Sequence, residues 1–386
     1  MMRRAWKEEG ACLLALLFFA AALLLPVGQD VIGNDVSWLA EPGLLLGFGI
    51  AALAALGQAA LALRGLAVGL VLLIACIAGA WVPLAAISRQ FAVLGAEAPV
   101  GLQGLGVWVF VLGLGFLVWR ALGVLSEAAG KGNSKGFAAL LVPGLFGAWL
   151  IYLWQVGVTG FGVPTVLLPS PERIAAIFMA STDTLIADFY QTFIKSVLTG
   201  FLMGCGSGFL VAILVDRVPF LQRGLLPLGN FVSALPIVGV APIMVMWFGF
   251  DWQSKAAVVV IMTFFPMLVN TITGLHATQA MERDLMRSYG ASYLQTLVRV
   301  RLPNALPFIF NALKINSTLA LIGAIVAEFF GTPIVGMGFR ISTEIGRMNV
   351  EMVWATIAVA AVAGSLFYGL LALAERAATF WHPSYR

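Results

Sequence analysis

The sequence predicts an all-α polytopic membrane protein with about ten transmembrane helices. Three observations carry this. Of 386 residues, 61% are hydrophobic and only 10% are charged; mean hydropathy is +0.99. So few charges do not cover the aqueous surface of a chain this long, whereas lipid requires no polar cover. The apolar runs last roughly 17 to 25 residues, the length of a helix across a ~30 Å hydrocarbon layer, and they lack the ten-residue alternation of an outer-membrane barrel.

In chain order the candidate spans lie near 11–27, 43–63, 65–87, 100–121, 137–157, 190–215, 225–249, 256–275, 307–330 and 352–374. The first has basic residues before it, as a signal peptide does, but no small-residue cleavage site follows Pro26, so it counts as a span. With the amino terminus cytoplasmic, the inner loops hold Arg3, Arg4, Lys7, Arg64, Arg120, Lys131, Lys135, Arg217, Arg223, Arg283, Arg287, Arg299, Arg301, Arg376 and Arg386. The outer side keeps Arg89, Arg173, Lys195, Lys255, Arg340 and Arg347. Positive residues resist translocation, so this asymmetry sets the orientation, and an even span count leaves both termini cytoplasmic. The same scatter explains the net charge of +4 without nucleic acid.

Two segments are too polar to span. Residues 158–189 start with Gly and Pro turns, and Ser170-Pro171 then opens an amphipathic helix with Glu172 in its first turn, expected on the outer surface. Between Gly331 and Val350, glycines and Pro333 break the chain before the last span. Residues 126–136, SEAAGKGNSKG, read as a flexible cytoplasmic linker between four amino-terminal and six carboxy-terminal spans. Gly130-Lys131 imitates a phosphate loop, but Leu125 stands where that pattern needs glycine. The chain therefore has no nucleotide site of its own and no cofactor is expected in it. Cys12, Cys76 and Cys205 are isolated, and His276 and His382 are too few for a histidine-based metal site.

The informative interruption is 281–307, MERDLMRSYGASYLQTLVRVRLPNALP. Glu282, Arg283, Asp284 and Arg287 make its first part water-soluble. Gly290 permits a left-handed bend between two short helices, Ser292 caps the second, and Pro303 and Pro307 punctuate the return to the membrane. A short rigid helix on the inner side, lying between two spans, is a handle that a partner can move.

From Asp284 to Pro303 the chain resembles the cytoplasmic coupling motif of binding-protein-dependent ABC importer permeases: an EAA triplet, Gly, nine residues, an aliphatic, one residue, Leu-Pro. Gly290, Val300, Leu302 and Pro303 are in register, while Asp284, Leu285 and Met286 stand in place of the triplet. SALPIVGVAPIMVMWFGFDWQSK (233–255), FFPMLVNTITG (264–274), LKINSTLALIGAIVAEFFG (313–331) and GMGF (336–339) are similar to the nitrate, sulfonate, taurine and thiamine-precursor branch. The resemblance covers about 137–382. It implies a type I ABC importer permease core in 131–386, with its coupling loop at 281–306, preceded by a four-span extension and linker in 1–130. It further implies a second permease copy, a cytoplasmic ABC ATPase dimer that holds ATP and Mg and grips the motif, and a periplasmic or extracellular solute-binding protein that delivers a small polar solute in a bacterial inner membrane. The motif residues Arg283, Asp284, Arg287, Ser288, Gly290, Ala291, Val300, Leu302 and Pro303 would make the ATPase contact.

Candidates for the translocation pathway are fewer. A charge at a helix centre costs roughly 2.5–3.5 kcal/mol, so Glu328 either lines the outer part of a water-filled path or is held in a salt bridge. Lys195 and Lys314, near span ends, are expected to snorkel. Asn270 and Asn316 face a cavity or a neighbouring helix, and Trp247 and Phe248 either gate the path or anchor at the outer interface. Gly200, Gly204 and Gly208 mark a close helix contact, within the chain or across a dimer. The rival reading is an ion-coupled secondary transporter, which needs inverted repeats that the two halves do not show. An intramembrane enzyme would need convergent ionisable groups or a metal triad within the spans, and the two histidines both lie outside span centres.

Overall fold

The computed structural model describes residues 2–95, 99–131, 137–218, 220–221, 224–225, 227 and 236–381. Apart from one short hairpin the described chain is helical, as expected, and it forms two compact units, Met1–Arg173 and Ile174–Arg386.

In the first unit lie α1 (Met2–Leu23), α2 (Pro42–Leu61), α3 (Leu66–Leu94), α4 (Leu105–Lys131) and α5 (Phe137–Gly160). Between α1 and α2, Gly28–Gln29 pairs antiparallel with Asp35–Val36. The turn is closed by Asp30, whose Oδ1 accepts the backbone N–H groups of Ile32 and Asn34, each at 2.9 Å, and these bonds hold its carboxyl below the usual range. The core is aromatic: Phe19, Trp38, Phe48 and Phe110 interlock, and the buried Trp38 donates its indole N–H to the Ala22 carbonyl at 2.7 Å. The division at residue 130 had grouped α5 with the carboxy-terminal spans; α5 packs against α3 and α4. Helix α4 also continues through Ser126–Lys131, where a linker is expected, because this Ala- and Glu-bearing run carries good helix formers. Residues 132–136 and the first half of the span expected at 225–249 lie largely outside the described residues.

The second unit begins near α6 (Pro171–Ala180), with Glu172 in its first turn as expected. Next come α7 (Thr182–Phe189), a π-helical segment (Tyr190–Leu198) and α8 (Thr199–Arg217), which join into one run of 36 residues. Helices α9 (Ile237–Phe248), α10 (Trp252–His276), α11 (Ala280–Ser288) and α12 (Tyr293–Thr296) follow. A second π segment (Leu297–Arg301) leads into α13 (Leu302–Glu328), then α14 (Met337–Gly346) and α15 (Val350–Ala378). Tyr293–Glu328 is again an unbroken 36-residue run. At 1.5 Å per residue each such run is about 54 Å long, so part of it projects beyond the hydrocarbon layer.

Among the described residues eight helices are long and apolar enough to cross a membrane. The first and seventh expected spans appear as shorter apolar helices, Gly10–Leu23 and Ile237–Phe248.

Helix α10 is the axis of the second unit, packed along both α8 and α13. The glycine stripe on α8 makes this possible within one chain: a Cβ at Gly200 would meet Val259, at Gly204 Thr263 and at Gly208 the Phe264 carbonyl. Gly206, on the opposite side, faces open space. Gly204→Val is therefore expected to lower the yield of folded, monodisperse protein in detergent several-fold, with Gly206→Val near the native yield; size-exclusion chromatography reads the difference.

Candidate functional site

Helix α10 ends at His276, and the chain re-enters helix after Gln279, which forms a reciprocal capping box with Glu282. Glu282 also accepts from Asn304 Nδ2 at 2.9 Å, tying the start of α11 to α13. Arg283, Asp284, Arg287 and Ser288 all lie exposed on α11. Arg287 and Asp284 pair weakly at 3.5 Å, and Ser288 Oγ donates to the Asp284 carbonyl at 3.0 Å.

The bend comes where expected. Gly290 has φ +65°. Its N–H donates to the Arg287 carbonyl at 2.9 Å, and that of Ala291 reaches back to the Met286 carbonyl at 3.0 Å, the paired bonds of a Schellman turn. Ser292 caps α12 in a second box with Gln295. Contrary to expectation, Pro303 and Pro307 do not interrupt the return; α12, the π segment and α13 are continuous. Pro303 follows directly on the widened π turn, which already withdraws the i→i−4 bond that proline cannot make.

The segment carries an exposed apolar ridge. Met281, Leu285 and Tyr289 recur every fourth residue and are exposed, the outer two at 79% and 80%, and Leu294 and Val298 continue it beyond the bend. Val300, Leu302 and Pro303 are half-buried at the root. Leu302 and Pro303 line an apolar cavity of about 580 Å³ with Phe201, Phe209 and Phe310.

Behind the root lies a polar cluster not singled out from the sequence. Asp216, in the last turn of α8, accepts a two-pronged bond from Arg301 (Nη1 and Nη2, both 2.7 Å) and the Tyr293 hydroxyl at 2.8 Å. His276 Nε2 lies 3.3 Å away. Arg301 also donates from Nε and Nη2 to the Leu275 carbonyl, 3.2 Å each, and Arg217 stands over the Tyr293 ring at 5.6 Å.

The pathway candidates do not converge on one place. Trp247 and Phe248 are exposed at the end of α9. Asn270 Nδ2 donates to the Pro266 carbonyl of its own helix at 2.8 Å. Asn316 is fully buried and bridges three helices, donating to Cys205 Sγ at 3.2 Å and the Thr263 carbonyl at 2.8 Å. Glu328, roughly 18 Å along α13 from Asn316 at 1.5 Å per residue, is buried as well.

Glu328 belongs to a second unforeseen cluster that seats the first turn of α14. Three successive N–H groups there, unpaired within any helix, each find a side chain: Gly336 donates to Asp188 Oδ1 (2.8 Å), Met337 to Thr192 Oγ1 (2.7 Å) and Gly338 to Glu328 Oε2 (2.6 Å). Thr192 in turn donates to Glu328 Oε1 at 2.7 Å, and Arg340 pairs with Asp188 at 2.8 Å. The buried ammonium of Lys255 donates to the Phe250 carbonyl at 2.6 Å and opposes the Glu328 charge. At the adjoining end of α10, Asp251 is held below the usual carboxylate range, chiefly by the Gln191 amide at 2.8 Å. Lys314 corrects another expectation: its ammonium does not snorkel but pairs with Glu375 on α15 at 2.7 Å. Lys195 lies over the Tyr190 ring at 5.5 Å.

Long apolar helices joined by a capped, bent, exposed segment fit a membrane transport component. Residues 200–379 match the family described as binding-protein-dependent transport system inner membrane component. The riboflavin transport system permease protein RibX of Chloroflexus aurantiacus is 30% identical over 236 residues, 61% of this chain and 88% of that protein. The formylaminopyrimidine transport permease protein ThiX of Halalkalibacterium halodurans is 30% identical, covering 62% of this chain and 96% of its own length. A putative aliphatic sulfonates permease, SsuC of Bacillus subtilis, is 30% identical over 64% of this chain and 88% of its own. The chain belongs to the binding-protein-dependent ABC importer permeases, within the branch that the resemblance indicated. It is a multi-pass transport component of a membrane.

Proposed function

We propose that two copies of this chain form the membrane pathway of an importer whose energy comes from a separate cytoplasmic ATPase pair. The ATPases hold ATP and Mg, and each grips α11 and the Gly290 bend of one permease. The observation that carries this reading is the exposed ridge of Met281, Leu285 and Tyr289 on a helix capped at its start and closed by a Schellman turn. Solvent alone gives no reason to display three large apolar side chains on successive turns, whereas a cleft in a partner does. Arg283, Asp284 and Arg287 flank the ridge and supply charge complementarity at its rim. In this reading the segment and both termini lie on the cytoplasmic side of a bacterial inner membrane, and the excess of basic residues in the corresponding loops supports it.

A solute-binding protein on the opposite side delivers a small polar solute, an organic anion such as a sulfonate or a heterocycle of pyrimidine type. The names of the relatives span this range. The first unit lies outside the matched residues 200–379 and serves here as a scaffold for assembly.

Reconstitution tests the reading. Proteoliposomes containing the chain, its ATPase and its binding protein are expected to accumulate one of labelled taurine, an alkanesulfonate, formylaminopyrimidine or riboflavin only when ATP is present on the ATPase side. Accumulation by the chain alone under a proton or sodium gradient would establish the secondary transporter instead. Deleting residues 1–130 is expected to lower recovery of the complex while leaving uptake per assembled complex within about two-fold of native, a difference of ~0.4 kcal/mol in the transport barrier.

A further inference from the structure

We propose that Asp216 is the joint through which movement of the coupling segment reaches α8 and α10; the inference rests on the coupling role assigned to 281–306 above. Asp216 occupies the last turn of α8, where the helix's negative end disfavours a carboxylate, and its side chain is only 2% exposed. A charge survives in such a place when donors surround it, and the donors here come from specific places. Tyr293 is the first residue of the long Tyr293–Glu328 run, and Arg301 lies eight residues further on, at the far end of the π segment. The two therefore grip the same carboxylate from ahead of Leu297–Arg301 and from its last residue.

A π segment is the place where a helix yields. Bonds anchored ahead of it and at its last residue stiffen that place, so a push on α11 and α12 is passed on and not absorbed. The direction of transfer is fixed by the remaining contacts. The carboxylate belongs to α8, while the rest of the Arg301 guanidinium caps the last turn of α10 through the Leu275 carbonyl. Among the described residues, this is the ion pair that fastens the segment's root to both spans. Asp216 thus acts as a positioning residue that works through Tyr293 and Arg301.

The test separates transmission from assembly. Nitroxides are attached at Ala280→Cys on the segment, an exposed position outside the ridge, and, separately, at Ile334→Cys beyond the far end of α13, which is 80% exposed; the three native cysteines are buried. Spectra are recorded for the chain assembled with its ATPase before and after trapping with ATP and vanadate. With Asp216 present, both labels are expected to respond. In Asp216→Asn, which keeps size and removes charge, the Ala280 label still responds and the change at Ile334 falls at least five-fold; Arg301→Lys, which loses the fork, gives an intermediate loss. A purely structural role would abolish both responses together. The inference is overturned by a full Ile334 response in Asp216→Asn. It is equally overturned if that variant fails to assemble while Arg301→Lys and Tyr293→Phe transmit fully. A chain with Asp216 intact whose Ala280 label ignores nucleotide refutes the coupling reading itself, a result distinct from either.

Discussion

Replacing Gly290 by proline is expected to abolish ATP-driven uptake while leaving the chain inserted in the membrane and the ATPase able to hydrolyse ATP. Proline fixes φ near −65°, whereas Gly290 sits at +65°. It also removes the N–H that donates to the Arg287 carbonyl at 2.9 Å, and its ring drives the cap residue Tyr289 from its compact turn conformation (φ −82°, ψ 4°) toward extended backbone. The local cost is about 3 kcal/mol or more, enough to unwind the last turn of α11 and re-aim its ridge. No span is touched, so insertion is unaffected. A graded series makes the cause visible. Nothing lies within 4 Å of a Cβ built on Gly290, so alanine pays only the left-handed strain of about 1–2 kcal/mol, and asparagine, which visits that region readily, less. Uptake is expected to rank glycine, asparagine, alanine, proline, with alanine reduced about ten-fold or less. Measured uptake and hydrolysis side by side check this, and a proline variant that transports like the native chain refutes the lever.

This bend was legible because its signal is local. A glycine where a helix must reverse, a serine ahead of the next helical run, and charges confined to one short stretch are all read within ten residues, and Gly290 and Ser292 take the places that such reading gives them. Span positions were legible for a similar reason, since hydropathy is a running average. The helix ends were less so. Hydropathy falls ahead of Tyr190 and again before Leu302, and a reading by apolar windows begins those spans near 190 and 307. Yet neither 182–199 nor 293–302 holds a glycine or proline, so nothing stops the helix, and both 36-residue runs continue. The polar clusters were hidden for a different reason. Asp216 and Arg301 are 85 residues apart and Thr192 and Glu328 are 136 apart. Each alone reads as loop topology or helix surface, and pairing at that separation leaves no periodic trace in a single chain. Glu328 had a trace, a carboxylate too costly to bury without partners, but the partners were unforeseen.

Gly338→Ala is expected to be the most damaging single-methyl change in the carboxy-terminal unit. Gly336 and Gly338 bracket Met337 at the start of α14, and a Cβ on Gly338 would run into the Ile325 backbone carbonyl and come within 2.8 Å of Glu328 Cβ. Backbone cannot step aside as a side-chain tip does, so α14 must lift off α13. That motion breaks the Gly338 bond to Glu328 at 2.6 Å and loosens its neighbours from Thr192 and Asp188. Each buried polar group left without a partner costs about 1–3 kcal/mol, and Glu328, if left charged and unmatched, costs more. Glu328→Gln probes the same seat from the other side. A carboxylate accepts from Thr192 and Gly338 through two oxygens, whereas an amide has one oxygen and turns an NH₂ toward one of those donors, so a loss of about 1–3 kcal/mol follows without any change of shape. Gly369→Ala supplies the control, since nothing lies within 4 Å of its Cβ. Thermal aggregation of the detergent-purified chain is expected to begin at a lower temperature for Gly338→Ala and for Glu328→Gln, with Gly369→Ala at the native temperature. Native behaviour of Gly338→Ala would mean that α14 is not seated on α13 as described, and the role of the GMGF glycines would have to be sought elsewhere.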